Sequence, residues 1–145
     1  MRILLVLFAL FFSSSSFAVT YKTVLSLEVK ENILKLKALN SCEGCNLSGA
    51  DLSGHDLSKA NLYKAQLRGT NLRGTNLSGA NLEMVKFFAK RDFDKNILVG
   101  ANLSEANLGG VSLSFLNLSG VNFNKADLKF AIGVKTNFSG ANLRG

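Results

Sequence analysis

From Cys45 to Gly145 the chain restates one five-residue phrase about twenty times, as CNLSG, ADLSG, HDLSK, ANLYK and onward to TNFSG and ANLRG. A short fixed period constrains the fold more than composition can. One such unit cannot bury its apolar residue alone, so neighbours must stack and share a core. With the central apolar residue of each phrase taken as position i, nineteen of twenty centres are Leu or Phe, and Gly133 is the exception. At i−2, sixteen of twenty are Ala, Cys, Thr or Val, and at i−1 fifteen are Asn or Asp. The rhythm slips by one residue at Lys90, between the centres Phe87 and Phe93.

Neither an α-helix nor a flat strand has this period. A helix places apolar residues three and four apart, and a strand alternates every two. A five-residue period with one small and one large inward residue needs a turn in every unit. Gly after the centre suits such turns because it tolerates positive φ, and Asn or Asp can bond to nearby backbone.

The A(N/D)LxG phrase resembles the repeat of the pentapeptide-repeat proteins over residues 45–145. That resemblance implies an all-β chain, a right-handed quadrilateral parallel β-helix with four pentapeptides per coil. Twenty repeats then make about five coils. At the ~4.8 Å spacing of neighbouring strands they form a rod about 24 Å long. Gyrase-binding members of the family carry an acidic, DNA-mimicking surface. This chain departs from them in charge, and that activity is not carried over.

Exceptions to the phrase mark irregular places. Arg91 and Asn96 stand at inward positions, where an unpaired guanidinium would cost several kcal/mol. The stretch 86–96 is therefore expected to bulge outward, with Lys86, Lys90, Arg91 and Lys95 as a locally basic loop. Gly133 leaves an empty centre that Ile132 and Val134 are expected to reorient to fill. His55 sits at an inward small position, read as a tolerated side chain and not as a ligand.

Residues 1–18 read as a signal peptide. Arg2 gives a positive start, residues 3–12 are an unbroken apolar run, and Ser16-Phe17-Ala18 fits a cleavage site before Val19. Ten apolar residues are about half of the ~20 a membrane span needs, so no stable membrane insertion is expected. The mature chain is expected to be exported, periplasmic or secreted, with the bacterial setting taken from the resemblance. Residues 19–44 read as a cap over the first coil. Leu25, Leu27 and Val29 alternate as in a short strand, and Ile33 to Leu39 fit a short helix. No cap is expected at the far end, where the phrase runs on to Gly145.

Cys42 and Cys45 are the only cysteines and His55 the only histidine, so four zinc ligands are not at hand. In an oxidising compartment a local Cys42–Cys45 disulfide is the favoured reading, with two reduced thiols as the alternative. No cofactor or metal is expected. There is no Ser/His/acid constellation and no phosphate-binding loop, which argues against an enzyme. Seventeen basic against ten acidic residues give a net charge of +7, which raises the question of nucleic acid. Counted twenty apart, Phe88, Gly109 and Lys129 stand above Arg68, and Met84, Glu105 and Lys125 above Lys64, so no positive stripe forms and no nucleic-acid partner is expected. What remains is an exported scaffold with an unidentified protein partner, or a rod that self-associates through its carboxy-terminal coils, or the first part of a longer repeat protein. The register places Phe88 and Phe130 outward on one face and Phe115 and Val134 on the adjacent face. These four are the interaction candidates.

Overall fold

The computed structural model describes residues 14–87 and 98–145, with side chains described from Leu27 onward. It opens with a helix, α1, over Ser14–Leu39. The expected strand at Leu25–Val29 is not there. No Gly or Pro interrupts this stretch, and Val29, Ile33 and Leu36 recur at spacings of four and three, which a helix turns to one side. Leu36 is fully buried, and Val29 and Ile33 pack against the same core. A three-residue alternation was too short to outweigh that spacing. The helix stops at Asn40, whose φ of 49° is the left-handed cap that ends many helices. The chain is thus not all-β. No helix among the described residues is long and apolar enough to cross a membrane.

α1 is a cap in hydrogen-bonding terms as well. In the stack, each coil's carbonyls at i−1 and i+1 accept from the coil before it, as Gln66 accepts from the Leu47 N–H. The first coil has no coil before it. Asn32 Nδ2 donates to the Asn46 carbonyl at 2.9 Å and Asn40 Nδ2 to the Ser58 carbonyl at 2.8 Å, so α1 supplies two of the missing donors.

The remainder is a ladder of single parallel bridges. Ser41 pairs with Asn61, Asn46 with Gln66, Asp51 with Asn71 and Asp56 with Asn76, each twenty residues on. Four bridge positions occur before the path returns above itself, so each coil has four sides. The repeats begin at residue 41, one phrase earlier than the sequence suggests. Cys42 is the first inward centre, fully buried and donating its N–H to Asn61. The phrase hides there because Cys stands where Leu stands elsewhere.

The slip is larger than one residue. Asn76 pairs with Asn102 and Asn81 with Asn107, twenty-six apart and so six more than a regular coil. The ladder is regular up to Lys86, which pairs with Gln66, and again from Val99, whose carbonyl accepts from Gly74. Lys86 therefore belongs to the regular stack and not to a loop. Lys90, Arg91, Lys95 and the expected centre Phe93 lie outside the described residues, as do residues 1–13. Sequence alone could not see the difference, because a one-residue slip and a six-residue excess leave the same five-residue phase.

Inside, the centres stack in columns. Leu52, Leu72, Leu98 and Leu118 form one, and Leu57, Leu77, Leu103 and Phe123 another, all 2% exposed or less. At ~1.5–3 kcal/mol for each such side chain these columns dominate the stability. Thr70 and Thr75 take the small inward place by donating Oγ1 to the carbonyls of Leu47 and Leu52, at 2.7 and 2.9 Å. At Gly133, Ile132 and Val134 stay more than half exposed instead of filling the gap. Phe138 reaches it instead, with ring atoms 3.6 Å from where a Cβ would stand. An aromatic ring spans that distance, whereas Ile132 and Val134 are held outward by their bridge-side positions.

Position i+2 is left-handed at the corners. Besides glycines, Lys59, Lys64, Met84, Glu105, Phe115, Lys125, Phe130 and Lys135 all have φ between 54° and 65°. The solenoid thus imposes on eight side-chain-bearing residues a conformation that glycine takes freely, and their side chains project from the corners.

Candidate functional site

The four sides are not alike, and their difference locates the site. Numbered from Ser41, the fourth side carries Asp56, Asn76, Asn102, Asn122 and Asn142 in an unbroken ladder. Each Asn Nδ2 donates to the Oδ1 before it, at 2.9, 3.1, 3.0 and 2.9 Å in order. Each Oδ1 also accepts the N–H two residues on, as from Ser58 and Ser78. The third side repeats this from Asn71 to Asp51 and from Asn137 to Asn117. The first side has Asn81 donating to Asn61 and Asn107 to Glu83. These surfaces are closed by polar side chains already bonded to one another.

The second side is different. Its bridge residues are Asn46, Gln66, Lys86, Ser112 and Ile132, which keep no Asn ladder past the first rung. Of the vertical pairs whose rungs are both described, only Lys86 and Ser112 form no bridge. The wall still holds at Met84, which donates to the Gly109 carbonyl at 3.1 Å. Beyond it the two coils part around a cavity of about 390 Å³ lined by Met84, Val85, Phe87, Phe115 and Leu116, with Lys86, Ser112 and Ser114 as its polar edge.

Leu27, Leu34 and Leu39 are exposed on α1 and Leu143 on the fourth side, and the other exposed large apolar side chains described gather about the second side. Phe115, Ile132 and Val134 belong to its repeats, and Met84 and Phe130 stand at the corner leading into it. Phe130 is 90% exposed, so it does not fold over its own coil. Phe115 and Val134 are vertical neighbours, with the Phe115 N–H donating to the Val134 carbonyl at 2.9 Å. Lys135 Nζ lies 5.9 Å from the Phe115 ring centre. Phe115 and Val134 thus share a side, with Phe130 on the adjacent corner, and Phe88 lies outside the described residues. Met84 and Ile132 were missed. Met84 was counted into a charge column, and Ile132 was expected to turn inward.

The six-residue excess also corrects the charge columns. Above Lys64 stand Met84, Gly110 and Phe130, not Glu105 and Lys125. Above Arg68 the described members are Ser114 and Val134, not Gly109 and Lys129. Neither column is a positive stripe.

Cys42 and Cys45 are joined as a disulfide, with their Cα atoms 5.2 Å apart. It closes the corner where α1 hands over to the first coil. His55 is half-buried, its Nδ1 3.1 Å from the Ser53 carbonyl. Among the described residues no three His, Cys, Asp or Glu side chains gather as a metal site would need.

Comparison with known sequences decides the family. The sequence profile of pentapeptide repeats matches residues 41–79, 97–132 and 112–145, in eight copies. The chain belongs to the pentapeptide-repeat family. The matched segments begin at the Ser41 rung and leave out residues 80–96, a stretch that includes the Asn81 and Lys86 rungs. No curated protein matches the chain. Among solved structures, this pentapeptide-repeat chain is similar to a pentapeptide repeat protein of the Arabidopsis thaliana thylakoid lumen, at 33% identity over 70% of this chain and 63% of that one, with a TM-score of 0.33. It is also similar to two trypsin-treated forms of QnrB1, a plasmid-mediated fluoroquinolone resistance protein. Both are 25% identical, over 67% and 69% of this chain and 49% and 48% of theirs, with TM-scores of 0.53 and 0.54. The chain therefore spans about half the length of QnrB1 as solved in those forms.

Proposed function

We propose that this chain is a non-catalytic, exported repeat scaffold that presents a rigid surface for protein–protein interaction. The scaffold reading takes the repeats as a right-handed quadrilateral β-helix of about five coils, the form the family resemblance implies. The observation that carries it is the contrast between sides. Where Asn and Asp ladders run along the other three sides, the second side lacks one past its first rung and exposes Phe115, Ile132 and Val134 beside an open cavity. Apolar groups gathered on one side of a rigid frame are the usual form of an association site. Export is supported by the amino-terminal pattern and by the Cys42–Cys45 bond, which suits an oxidising compartment.

The test is affinity recovery from the exported fraction with the native chain and with the Phe115→Ser, Phe130→Ser, Val134→Ser triple variant. A partner retained by the native chain and lost by the folded variant supports the scaffold. A partner held equally by both overturns this surface.

A second reading, self-association through the last coil, is favoured by its own observation. Phe130, Ile132, Val134 and Leu143 are all more than half exposed in the last rungs described. Light scattering of the purified chain separates the two, since a self-associating rod gains mass with concentration.

A further inference from the structure

We propose that the cleft on the second side is a docking groove for an extended, acidic segment of a partner protein, which adds as a strand between the Lys86 and Ser112 rungs. This rests on the scaffold reading and narrows it to one side and one partner chemistry.

The backbone gives the first reason. Elsewhere, consecutive coils exchange a fixed pair of bonds. For example, Leu67 donates to Lys86 and Lys86 donates to Ala65, at 2.9 and 3.0 Å. The equivalents here would join the Phe87 N–H to the Ser112 carbonyl and the Ser112 N–H to the Val85 carbonyl, and neither bond is formed. Among the described residues, each lip of the cleft therefore keeps a backbone donor and a backbone acceptor with no backbone partner. A donor and an acceptor paired in this way along a strand are what an added strand bonds to.

The lining gives the second. Met84, Val85, Phe87, Phe115 and Leu116 make the walls apolar, and about 390 Å³ falls within the range of pockets that hold ligands. A strand sends alternate side chains to opposite faces, so every second residue of the segment would enter the cleft and should be apolar.

Charge gives the third. The second-side repeats carry Arg68, Lys86 and Lys135 and, among the described residues, no carboxylate. The outward residues of the docked strand would meet these cations, which favours Asp or Glu there. A nucleic acid would answer the charge but neither the apolar walls nor the two-sided backbone pattern.

The experiment pans a displayed library of random octapeptides against the whole chain. The expected winners alternate apolar with acidic residues. Their binding should weaken at least about tenfold with Lys86→Glu or Phe115→Ser, and with peptides N-methylated at alternate backbone nitrogens. Ser78→Arg and Ser104→Arg, on the fourth side, should leave binding unchanged. No enrichment overturns the proposal, as does equal binding by the N-methylated peptides. A single-stranded octanucleotide that binds more tightly than any peptide overturns it too. So does a binder that appears only after residues 88–93 are excised, since the chain's own segment is then the occupant. A native partner lost by the apolar triple variant but kept in full by Lys86→Glu sinks the groove and leaves the scaffold standing.

Discussion

The side-chain amide of Asn76 donates to the carboxylate of Asp56 at 2.9 Å, and Asp56 is the first rung of its ladder. The choice of Asp there has a physical reason. Every later rung must donate downward and accept from above, which needs an amide. The first has no rung below and need only accept, which a carboxylate does. Asp51 holds the same place on the third side, accepting from Asn71 at 3.0 Å. The ladder thus has a polarity running from α1 toward the last coil.

Acid should loosen those first rungs. Hydrogen bonds from Ser53, then from Asn71, hold Asp51 below its ordinary 3.8, and bonds from Ser58, then from Asn76, do the same for Asp56. A depressed folded pKa contributes stability that is present above the unfolded value and lost as pH falls through the folded one. The urea midpoint should therefore drop as pH falls below the ordinary carboxylate value, and less so in the Asp51→Asn, Asp56→Asn double variant. An identical drop in both proteins would show that these carboxylates are not responsible.

Interior rungs should matter more than their neighbours. Asn102→Ala removes a bond given to Asn76 and others received from Asn122 and the Ser104 N–H. A loss of ~1–3 kcal/mol is expected in denaturant unfolding. Ser104→Ala, one turn position away, should cost less than ~0.5 kcal/mol.

The core columns give the largest effect. Leu77 and Leu103 are fully buried, one above the other, and either Leu→Ala change should cost ~2–5 kcal/mol through the cavity it leaves. Ser78→Ala should shift stability by less than ~0.5 kcal/mol. Equal losses at inward and outward positions would refute the stacked core.

Two glycines should respond in opposite directions. At Gly133 an added methyl meets only ordinary contacts, at 3.4 and 3.6 Å, beside Phe138. Gly133→Ala should then stabilise by ~0.4–1 kcal/mol by restricting the unfolded chain. Gly110 has φ +67°, and a methyl there would stand 3.0 Å from Met84 Sδ. Gly110→Ala should destabilise by about 1 kcal/mol. Thermal unfolding of the two variants reads both signs.

Processing can be read by mass. The proposed exported form begins at Val19 and takes up alkylating agent at Cys42 and Cys45 only after reduction. A mature species that keeps Met1, or labelling of unreduced protein, would count against export and the oxidised pair respectively.

The amino-acid pattern alone determined the repeat, its inward Leu and Phe centres, its small i−2 residues and its family, because each unit repeats the same local constraint. It also named Phe115, Phe130 and Val134 as outward. What it could not determine was how much chain lies between the two regular parts, since adding five residues leaves the phase unchanged. Only the pairing of Asn76 with Asn102 decided that. With it were decided which residues stand above Lys64 and Arg68, and that Lys86 is a rung facing an open cleft. The helix was likewise settled by packing: Val29, Ile33 and Leu36 needed the first coil to bury against, and no local alternation carries that information.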